Sequence, residues 1–259
     1  MTDADIAAIS CRQLADYEAH RPGRVFEDPA FRLTLDEAYG VQLQTAALRV
    51  ARGEAIGGYK IGCTSEPVQR QLHVNQPVFG HLFTTEFHPS GVTLNPAAYD
   101  HLAIEGELAI RMGDGVADFA SAFVVIELHN HIFRASRQTA QELIANNAFH
   151  AGIVLPVELN EHAEFGVPSE TGPLAVYRNG KLLGRAPASV FAGGPGESAR
   201  RIADHVAGCG GRILKGQVLL TGSPLPLYPV EPGDEIVVQC PCAGEVRVRI
   251  SDSAIWPQK

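Results

Sequence analysis

Three acidic residues in two candidate strands have a spacing that suits metal binding. Glu105 and Glu107 stand two residues apart in the run IEGELAI, so on a strand their carboxylates share one face and the apolar residues share the other. Glu127 lies near the end of SAFVVIEL, an apolar run typical of a buried strand, where an unpaired carboxylate would be costly to bury. Carboxylate oxygens suit Mg²⁺ or Mn²⁺. The three acids therefore indicate either a divalent-cation site or an exposed, solvated acidic face.

Two kinds of basic residue accompany these acids. His129 and His131 fall on the same alternation face as Glu127, so a mixed histidine and glutamate site competes with the three-acid site. Hydrogen-bonded histidines at the rim are the other alternative. Lys60 lies in GYKIG, where glycines on both sides permit close backbone approach. A partly buried lysine can transfer protons or hold an anionic group, whereas a solvated strand lysine is the structural alternative.

The first fifty residues predict the helices that precede these motifs. Thr2 begins a capping arrangement with Asp5, and Thr34 begins a capping box with Glu37. The second box opens a helix predicted over about 35–52. This segment indicates a small helical region at the start of the chain.

The rest of the chain predicts a sheet-rich domain that would carry the acids and the lysine. Two helices are predicted over roughly 136–147 and 197–207, and Asn179-Gly180 predicts a type I′ hairpin turn. Candidate strands are Tyr59–Cys63, Leu102–Met112, Ala122–Leu128, Gly152–Pro156, Leu174–Arg178, Lys181–Arg185, Val218–Leu220, Glu235–Gln239 and Glu245–Ile250. Strands this numerous, with few helices between them, favour an α+β protein: a helical region over 1–57 and a mixed or antiparallel β-roll or sandwich over 58–259.

Composition excludes several classes of function. The chain has 259 residues, of which 45% are hydrophobic, and 21 Lys and Arg against 29 Asp and Glu give a net charge of −8. Such a chain lacks the basic footprint of a nucleic-acid or anionic-membrane binder. It has no apolar run of membrane-spanning length and no signal-peptide pattern, and its five cysteines are scattered. We therefore expect a cytoplasmic protein without a disulfide framework.

Five segments, in matching order, carry a resemblance to a known family. They are the run around Lys60 (GYKIGCTSEPVQRQLHVNQPVFGHLF), IEGELAI, the strand of Glu127, IANNAFHAG, and KGQVLLTGS with PVEPGDEI after it. They resemble the 2-keto-4-pentenoate hydratase and 4-oxalocrotonate decarboxylase family of meta-cleavage pathways in aromatic catabolism, within the fumarylacetoacetase-like superfamily. The resemblance implies a small helical N-terminal region followed by a fumarylacetoacetase-type mixed β-roll.

The resemblance also implies an active site. In the family, Mg²⁺ or Mn²⁺ is held by an E-x-E pair and a downstream acid, which match Glu105, Glu107 and Glu127. The family's glycine-flanked lysine, which binds and protonates the substrate, matches Lys60. The residues expected against the substrate are Asn147 and the LTGS turn residues Thr221, Gly222 and Ser223.

The chain departs from the family pattern beside this site. Val78 stands where hydratases usually have an Asp that is thought to activate water, and Asn146 and Phe149 replace an acid and a small polar residue. His81 and His150 lie beside the altered positions and could supply the missing acid or base, and we take His81 as the catalytic one. A packed or surface histidine is the alternative for both.

The function implied is that of a divalent-metal-dependent lyase acting on a small 2-oxo or 2-hydroxydienoic acid. A hydratase is the first expectation, with an oxalocrotonate-type decarboxylase or an acylpyruvate hydrolase as alternatives. A non-catalytic partner subunit of a hydratase and decarboxylase complex is the alternative of another class. The expected partners are the 2-oxo acid and further subunits of a homo-oligomer, with neither nucleic acid nor membrane.

Overall fold

The computed structural model describes residues 1–115, 118–157, 172–241 and 243–252. In this part of the chain the helices are α1 (Asp3–Glu18), α2 (Leu35–Ala51), α3 (Glu66–Leu72), α4 (Ala140–Ala145) and α5 (Gly194–Gly208). The earlier strands are β1 (Ile56–Gly62), β2 (Val78–Phe83), β3 (Phe87–Pro89), β4 (Thr93–Leu94), β5 (Leu102–Met112), β6 (Phe119–Asn130) and β7 (His150–Leu155). The later strands are β8 (Pro173–Arg178), β9 (Lys181–Pro187), β10 (Val218–Leu220), β11 (Tyr228–Pro229), β12 (Glu235–Cys240) and β13 (Gly244–Ile250).

Local sequence explains both N-terminal helices. The Thr2 hydroxyl accepts a hydrogen bond from the Asp5 amide, and the Asp5 carboxylate accepts one from the Thr2 amide, which completes a capping box before α1. Thr34 and Glu37 form the same box before α2, with distances of 3.2 and 2.7 Å. These boxes use amide groups that a helix start otherwise leaves without partners. The helices predicted for the first fifty residues are confirmed.

Two mixed sheets form the β-rich part. The first has the strand order β2-β1-β10-β5-β6-β7-β3, with β11 beside β5, and the second has the order β4-β13-β12-β8-β9. The pairs β1–β10, β3–β7 and β4–β13 are parallel, and the other described pairs are antiparallel. At the β8–β9 turn, Asn179 and Gly180 have φ of 51° and 76°, as the predicted type I′ turn requires. The mixed sheet architecture is confirmed.

The two sheets pack face to face around an apolar layer. The large apolar residues on one face of β5 lie in this layer, each with 0% exposure: Ile104, Leu108 and Ile110. Gly106 lies on the same face, where a Cβ atom would come within 2.7 Å of the Val176 side chain and 3.1 Å of the Val238 side chain. The second sheet can therefore approach only because a glycine separates Glu105 from Glu107. The two glutamates point to the opposite face of the first sheet.

A second apolar cluster joins the N-terminal helices to the first sheet. It includes Leu72 of α3, Val78 of β2 and Ile144 of α4. The Gln42 side chain of α2 donates hydrogen bonds to the main-chain oxygens of Phe79 and Ile144, at 2.9 and 2.8 Å. These contacts tie α2 to both the edge strand β2 and the helix α4.

The structure differs from the sequence prediction around residue 140. The helix predicted over 136–147 begins only after Thr139, whose hydroxyl accepts from the Glu142 amide at 3.2 Å, and it ends at Ala145. Residues 147–149 then take positive φ values of 55°, 53° and 58°, a left-handed turn that cannot continue an α-helix. The sequence patterns also do not predict α3 and β2, because both are short and the glycine and histidine in β2 interrupt its apolar run.

Candidate functional site

The register of β5 and β6 brings two of the predicted acids together. Glu105 and Glu127 are direct cross-strand partners, so their side chains stand on the same face at neighbouring positions. Glu107 lies on that face two residues further along β5, opposite Val125. Glu127 is fully buried and Glu107 is 1% exposed. Buried carboxylates this close together require compensating positive charge.

Lys60 supplies part of that charge from β1. The parallel pairing of β1 with β10 places Lys60 beside Leu220, and Gly58 makes this approach possible because a Cβ there would lie 1.8 Å from the Val218 oxygen. Lys60 Nζ lies 2.6 Å from Glu127 Oε1 and 3.4 Å from the Ala148 oxygen. Burial alone would lower the pKa of Lys60, but the Glu127 charge and the other two glutamates raise it above its ordinary value. Lys60 is therefore a buried ammonium.

His150 holds the same oxygen of Glu127 from β7. Its Nδ1 lies 2.7 Å from Glu127 Oε1, and the ring is almost completely buried. Burial would raise the pKa of Glu127, but the Lys60 and His129 charges and the His150 hydrogen bond lower it well below the ordinary value. Glu127 is therefore an ionised carboxylate, and His150 positions it from behind the cavity described below.

His129 stands between the two paired glutamates. Its Nε2 is 3.3 Å from Glu105 Oε2 and 3.3 Å from Glu127 Oε2, although neither contact has hydrogen-bond geometry. One donor atom from each of these three residues lies within 4.8 Å of the others. Burial would lower the pKa of His129, but the Glu127 charge raises it. Among the described residues, this is the cluster of histidine and acidic side chains that could hold a metal ion.

Glu107 has a different environment and stands outside that cluster. Its Oε2 accepts a hydrogen bond from the Gly222 amide at 3.0 Å, and its buried Oε1 has no hydrogen-bond partner in the described chain. Burial and the charges of Glu127 and Glu105 raise the pKa of Glu107 well above its ordinary value. A cation near Glu107 would favour its ionised form.

The donor set fits a divalent cation. Glu107 Oε1, Glu127 Oε2 and His129 Nε2 are buried, and none of them has a hydrogen-bond partner among the residues described. Such buried polar atoms are costly unless a ligand, an ion or water satisfies them. Carboxylate oxygens and an imidazole nitrogen are ligands for Mg²⁺, Mn²⁺ and related ions.

A cavity of about 560 Å³ opens onto this cluster and is lined by Lys60, Glu105 and His129. Its other walls are largely apolar, and they include Leu72, Val78, Phe133, Leu143 and Phe149. Phe133 lies outside every motif that the sequence analysis used. Leu72 falls in the run around Lys60 and Leu143 in the predicted helix, but no local signal marked either of them as a cavity residue. The polar lining includes Ser223 and His131.

The predicted LTGS turn has two structural tasks at the cavity edge. The Thr221 hydroxyl donates to the Leu108 oxygen at 2.7 Å, and the Gly222 amide binds Glu107. Ser223 lines the cavity, and its hydroxyl donates to main-chain oxygens. Thr221 and Gly222 therefore position β5 and Glu107, and Ser223 is the one of the three that borders the cavity.

Two predicted site residues, His81 and Asn147, are not part of the lining of the cavity that contains Lys60. His81 pairs with Tyr59 while Gly80 pairs with Lys60, so strand alternation puts the His81 ring on the opposite face from Lys60, in a different cavity. Asn147 uses both ends of its amide on the His81 main chain, with two bonds of 2.8 Å. The His81 ring therefore faces away from Lys60, and Asn147 clamps β2. A catalytic role of His81 and a substrate contact of Asn147 stay predictions.

Comparisons with known proteins agree with the resemblance. The 2-hydroxyhexa-2,4-dienoate hydratase of Comamonas testosteroni is 29% identical over 237 residues, which cover 84% of this chain and 88% of that protein. The 2-keto-4-pentenoate hydratase of Paraburkholderia phymatum is 28% identical over 229 residues, which cover 83% and 86%. No protein-family model matches the chain.

The fold comparison gives the same result. A solved structure of 4-oxalocrotonate decarboxylase from Pseudomonas putida, complexed with magnesium and adipate, matches with a TM-score of 0.85 over 96% of this chain and 98% of that chain, at 23% identity. This similarity confirms the predicted fold class. Among the described residues, no helix is both long and apolar enough to cross a bilayer.

Proposed function

The chain is a relative of the 2-keto-4-pentenoate hydratases and 4-oxalocrotonate decarboxylases, and we propose that it is a divalent-metal-dependent lyase acting on a small 2-hydroxydienoic or 2-oxo acid. The observation that carries the proposal is the meeting of Lys60, Glu105 and His129 in one cavity wall, with Glu127 directly behind them. A 2-oxo acid head group offers two adjacent oxygens and negative charge, which a cation and an ammonium group can bind together.

Glu105, Glu107 and Glu127 are the ligands that the family pattern proposes for the ion, which is Mg²⁺ or Mn²⁺. When bound, such an ion supplies Lewis acidity that stabilises negative charge on the enol oxygen of the substrate. The buried Glu107 Oε1 and Glu127 Oε2, which have no hydrogen-bond partner in the described chain, support this assignment. His150 contacts Oε1 of Glu127, and the Gly222 amide donates to Oε2 of Glu107. Each contact orients a carboxylate through the oxygen other than the one without a partner.

Lys60 is the proposed proton donor and anion-binding group. Its buried ammonium carries a proton at Nζ, and its raised pKa keeps that proton in place at neutral pH. In the proposed hydration the dienol gains a proton at C5, the far end of its conjugated system, and loses its enol hydroxyl proton. Water then adds across the double bond of the resulting unsaturated ketone to give a 4-hydroxy-2-oxo acid. Glu127, at 2.6 Å, orients Nζ between proton transfers.

The lining supports a substrate with an apolar tail. Val78 and Phe149 are 2% and 4% exposed and border the cavity together with Phe133. A second carboxylate on the tail would have to be desolvated against these side chains. We therefore propose a monocarboxylic dienol with an alkyl or similar apolar substituent as the substrate class.

Decarboxylation is the second candidate activity. Val78 leaves a buried apolar side chain where the family's hydratases carry the acid thought to activate water. Loss of CO₂ from the tail of an unsaturated 2-oxo acid needs no such water, because the electrons of the broken C–C bond pass along the conjugated chain to the 2-oxo oxygen, where a bound divalent ion would stabilise the negative charge. The same Lys60 would then protonate the remaining dienolate.

Product analysis with the metal-free protein and added Mg²⁺ or Mn²⁺ tests the proposal. Incubation with 2-hydroxyhexa-2,4-dienoate should yield the 4-hydroxy-2-oxo acid only when the metal is present, and an oxalocrotonate-type substrate would release CO₂ if the second activity applies. Glu127→Gln should abolish turnover, whereas Glu235→Gln, at a position on the second sheet, should leave it unchanged. Absence of turnover on both substrates with either metal would contradict the enzymatic proposal and favour the partner-subunit alternative.

Assembly belongs to the same proposal. The resemblance implies a homo-oligomer, or association with a related hydratase or decarboxylase subunit. Light scattering on the purified chain should give a mass that is a multiple of 27.7 kDa. A monomeric mass throughout the concentration range of the assay would contradict the proposed homo-oligomer.

A further inference from the structure

His129 occupies a place that the three-acid ligand set does not explain. Its ring is 4% exposed and lies on the face of β6 that carries Glu127. Its Nε2 has two carboxylate oxygens at 3.3 Å but makes no hydrogen bond with correct geometry in the described chain. A buried imidazole nitrogen in this position is costly unless something between the carboxylates satisfies it.

The three donor atoms nearest one another come from Glu105, Glu127 and His129. They lie within 4.8 Å of one another, whereas Glu107 is absent from this group and has one oxygen committed to the Gly222 amide. Two of these side chains come from β6 and one from its direct pairing partner on β5. Rigid paired strands, rather than loops, therefore hold the cluster in place.

We propose that His129 is a metal ligand, so that the ion is held by one imidazole nitrogen and the carboxylates of Glu105 and Glu127. Glu107, whose buried Oε1 has no hydrogen-bond partner among the described residues, would supply a further oxygen. This inference rests on the proposed metal-dependent function, but it concerns which atoms bind the ion and which ion they prefer.

A nitrogen ligand changes the expected ion. Sites made of carboxylate and water oxygens suit Mg²⁺, whereas imidazole suits Zn²⁺, Fe²⁺ and other transition metals. A set of one histidine and two carboxylates should therefore bind Mn²⁺ and Co²⁺ more tightly than Mg²⁺. We therefore expect Mn²⁺ to stay bound when Mg²⁺ is present at the same concentration, because Mg²⁺ gains least from exchanging an oxygen ligand for nitrogen.

Pulsed electron paramagnetic resonance on the Mn²⁺-loaded wild-type protein tests the ligand directly. The ¹⁴N nucleus of a coordinating imidazole should modulate the Mn²⁺ echo, and an all-oxygen site should give no such modulation. This measurement needs no variant and no turnover. Absence of ¹⁴N modulation with the ion bound would overturn the proposal.

Two variants give an independent measurement on the same protein. His129→Gln should abolish the ¹⁴N modulation and weaken Mn²⁺ binding at least about tenfold, the lower end of what losing even an outer-shell partner costs. The matched control His131→Gln removes an imidazole that lines the same cavity but stands outside the cluster, so Mn²⁺ affinity should not change. Unchanged Mn²⁺ affinity in His129→Gln would overturn the proposal.

Competition between ions tests the predicted preference for Mn²⁺. Its results, read together with the activity assay, distinguish the ligand assignment from the proposed function. Free Mn²⁺ released by added Mg²⁺ is measured from its six-line spectrum, and release at equal concentrations of the two ions would contradict the predicted preference.

A protein with a ¹⁴N-coupled ion but no lyase activity would support the ligand assignment and contradict the function. A protein that turns over substrate with an all-oxygen ion would support the function and contradict the ligand assignment.

Discussion

Individual side chains at this site owe their properties to their neighbours rather than to their type. Lys60 and Glu127 form a buried ion pair at 2.6 Å, and His150 adds a hydrogen bond to the same Glu127 oxygen. The pair leaves the second Glu127 oxygen facing His129 and the cavity side of the sheet. Removing one member of such a pair leaves a buried charge without compensation, which costs several kcal/mol. Substitutions here therefore need metal binding and folding measured separately.

Lys60→Met should reduce turnover far more than metal affinity. Loss of a proton donor costs about 10²–10⁴-fold in rate, whereas Nζ is not among the donor atoms of the metal cluster. The measurement is kcat and the Mn²⁺ dissociation constant on the same preparation, with the exposed Lys181→Met as the control. Equal losses in both quantities would indicate that Lys60 has a structural role only.

His81 predicts a pH dependence of stability. Burial, with smaller effects of His205 and Arg49, lowers its pKa from 6.5 to about 4, so the fold favours the neutral ring. As the pH falls, the unfolded chain binds a proton at His81 before the folded chain does. The stabilising contribution of the neutral ring is therefore fully present above pH 6.5 and is lost as the pH falls towards 4. The complete loss corresponds to about 3 kcal/mol of unfolding free energy.

Urea unfolding of the wild type and of His81→Phe measures this effect. The variant should lose less stability than the wild type between neutral and acidic pH, because phenylalanine has no proton to bind. His20→Asn, at an exposed position with left-handed backbone, is the control and should follow the wild type. Parallel pH curves for wild type and His81→Phe would contradict the prediction.

Secondary-structure elements contribute through close approach and through register. Gly58 allows β1 to pair with β10, and Gly106 allows the second sheet to pack on β5. The left-handed turn at residues 147–149 directs the Ala148 oxygen towards Lys60 and the Asn147 amide towards β2. Such turns of non-glycine residues are strained and persist only where surrounding contacts hold them.

Gly106→Ala should destabilise the sheet packing. Its Cβ would come 2.7 Å from Val176, which forces the two sheets apart and costs about 1–3 kcal/mol of unfolding free energy. Because Gly106 lies between Glu105 and Glu107, metal affinity should fall as well. Gly208→Ala, which has no atom within 4 Å of the new methyl group, is the matched control. Equal stabilities of the two variants, from chemical denaturation, would contradict this packing.

Asn147→Ala should loosen the edge strand β2. It removes two hydrogen bonds to the His81 main chain and leaves that amide without its partner, at a cost of about 2–3 kcal/mol. Asn147→Gly removes the same bonds but fits the φ of 55° without strain, so it should cost less than alanine. Hydrogen exchange of the β2 amides and denaturation curves measure both. Wild-type protection of β2 in the alanine variant would contradict the clamp.

The assembled molecule defines the substrate through the cavity between its parts. Residues from α3, β1, β2, β5 and β6 and the chain around Phe149 meet in the lining, so no single segment determines specificity. Helix α2 contributes indirectly, because Gln42 ties it to β2 and α4. The division into a helical region over 1–57 and a β-roll over 58–259 stays a prediction.

The cavity predicts a preference for apolar tails. Each added methylene that becomes buried should improve kcat/KM roughly fourfold, about 0.8 kcal/mol, until the cavity is full. A tail carboxylate should lower kcat/KM at least about tenfold, because it loses its hydration against Phe133, Phe149 and Val78. Steady-state kinetics with dienols of equal chain length, one ending in methyl and one in carboxylate, provide the comparison. A preference for the dicarboxylate would contradict the assigned substrate class.

Sequence patterns alone determined the local features of this protein. The capping boxes at Thr2 and Thr34, the hairpin at Asn179-Gly180, and the common face of Glu105 and Glu107 all follow from interactions within a few residues. Five short segments were also enough to identify the relatives and the fold class. These features need no knowledge of how distant strands pair.

Tertiary structure alone decided which of these residues meet. The register of β5 and β6 puts Glu105 opposite Glu127 and brings His129 into their cluster, and the pairing of β1 with β2 turns His81 to the face opposite Lys60. A shift of one residue in either pairing would exchange the faces, and alternation within a single strand contains no information about its partner's register. Side-chain direction is therefore a local property, whereas the composition of the site depends on long-range packing.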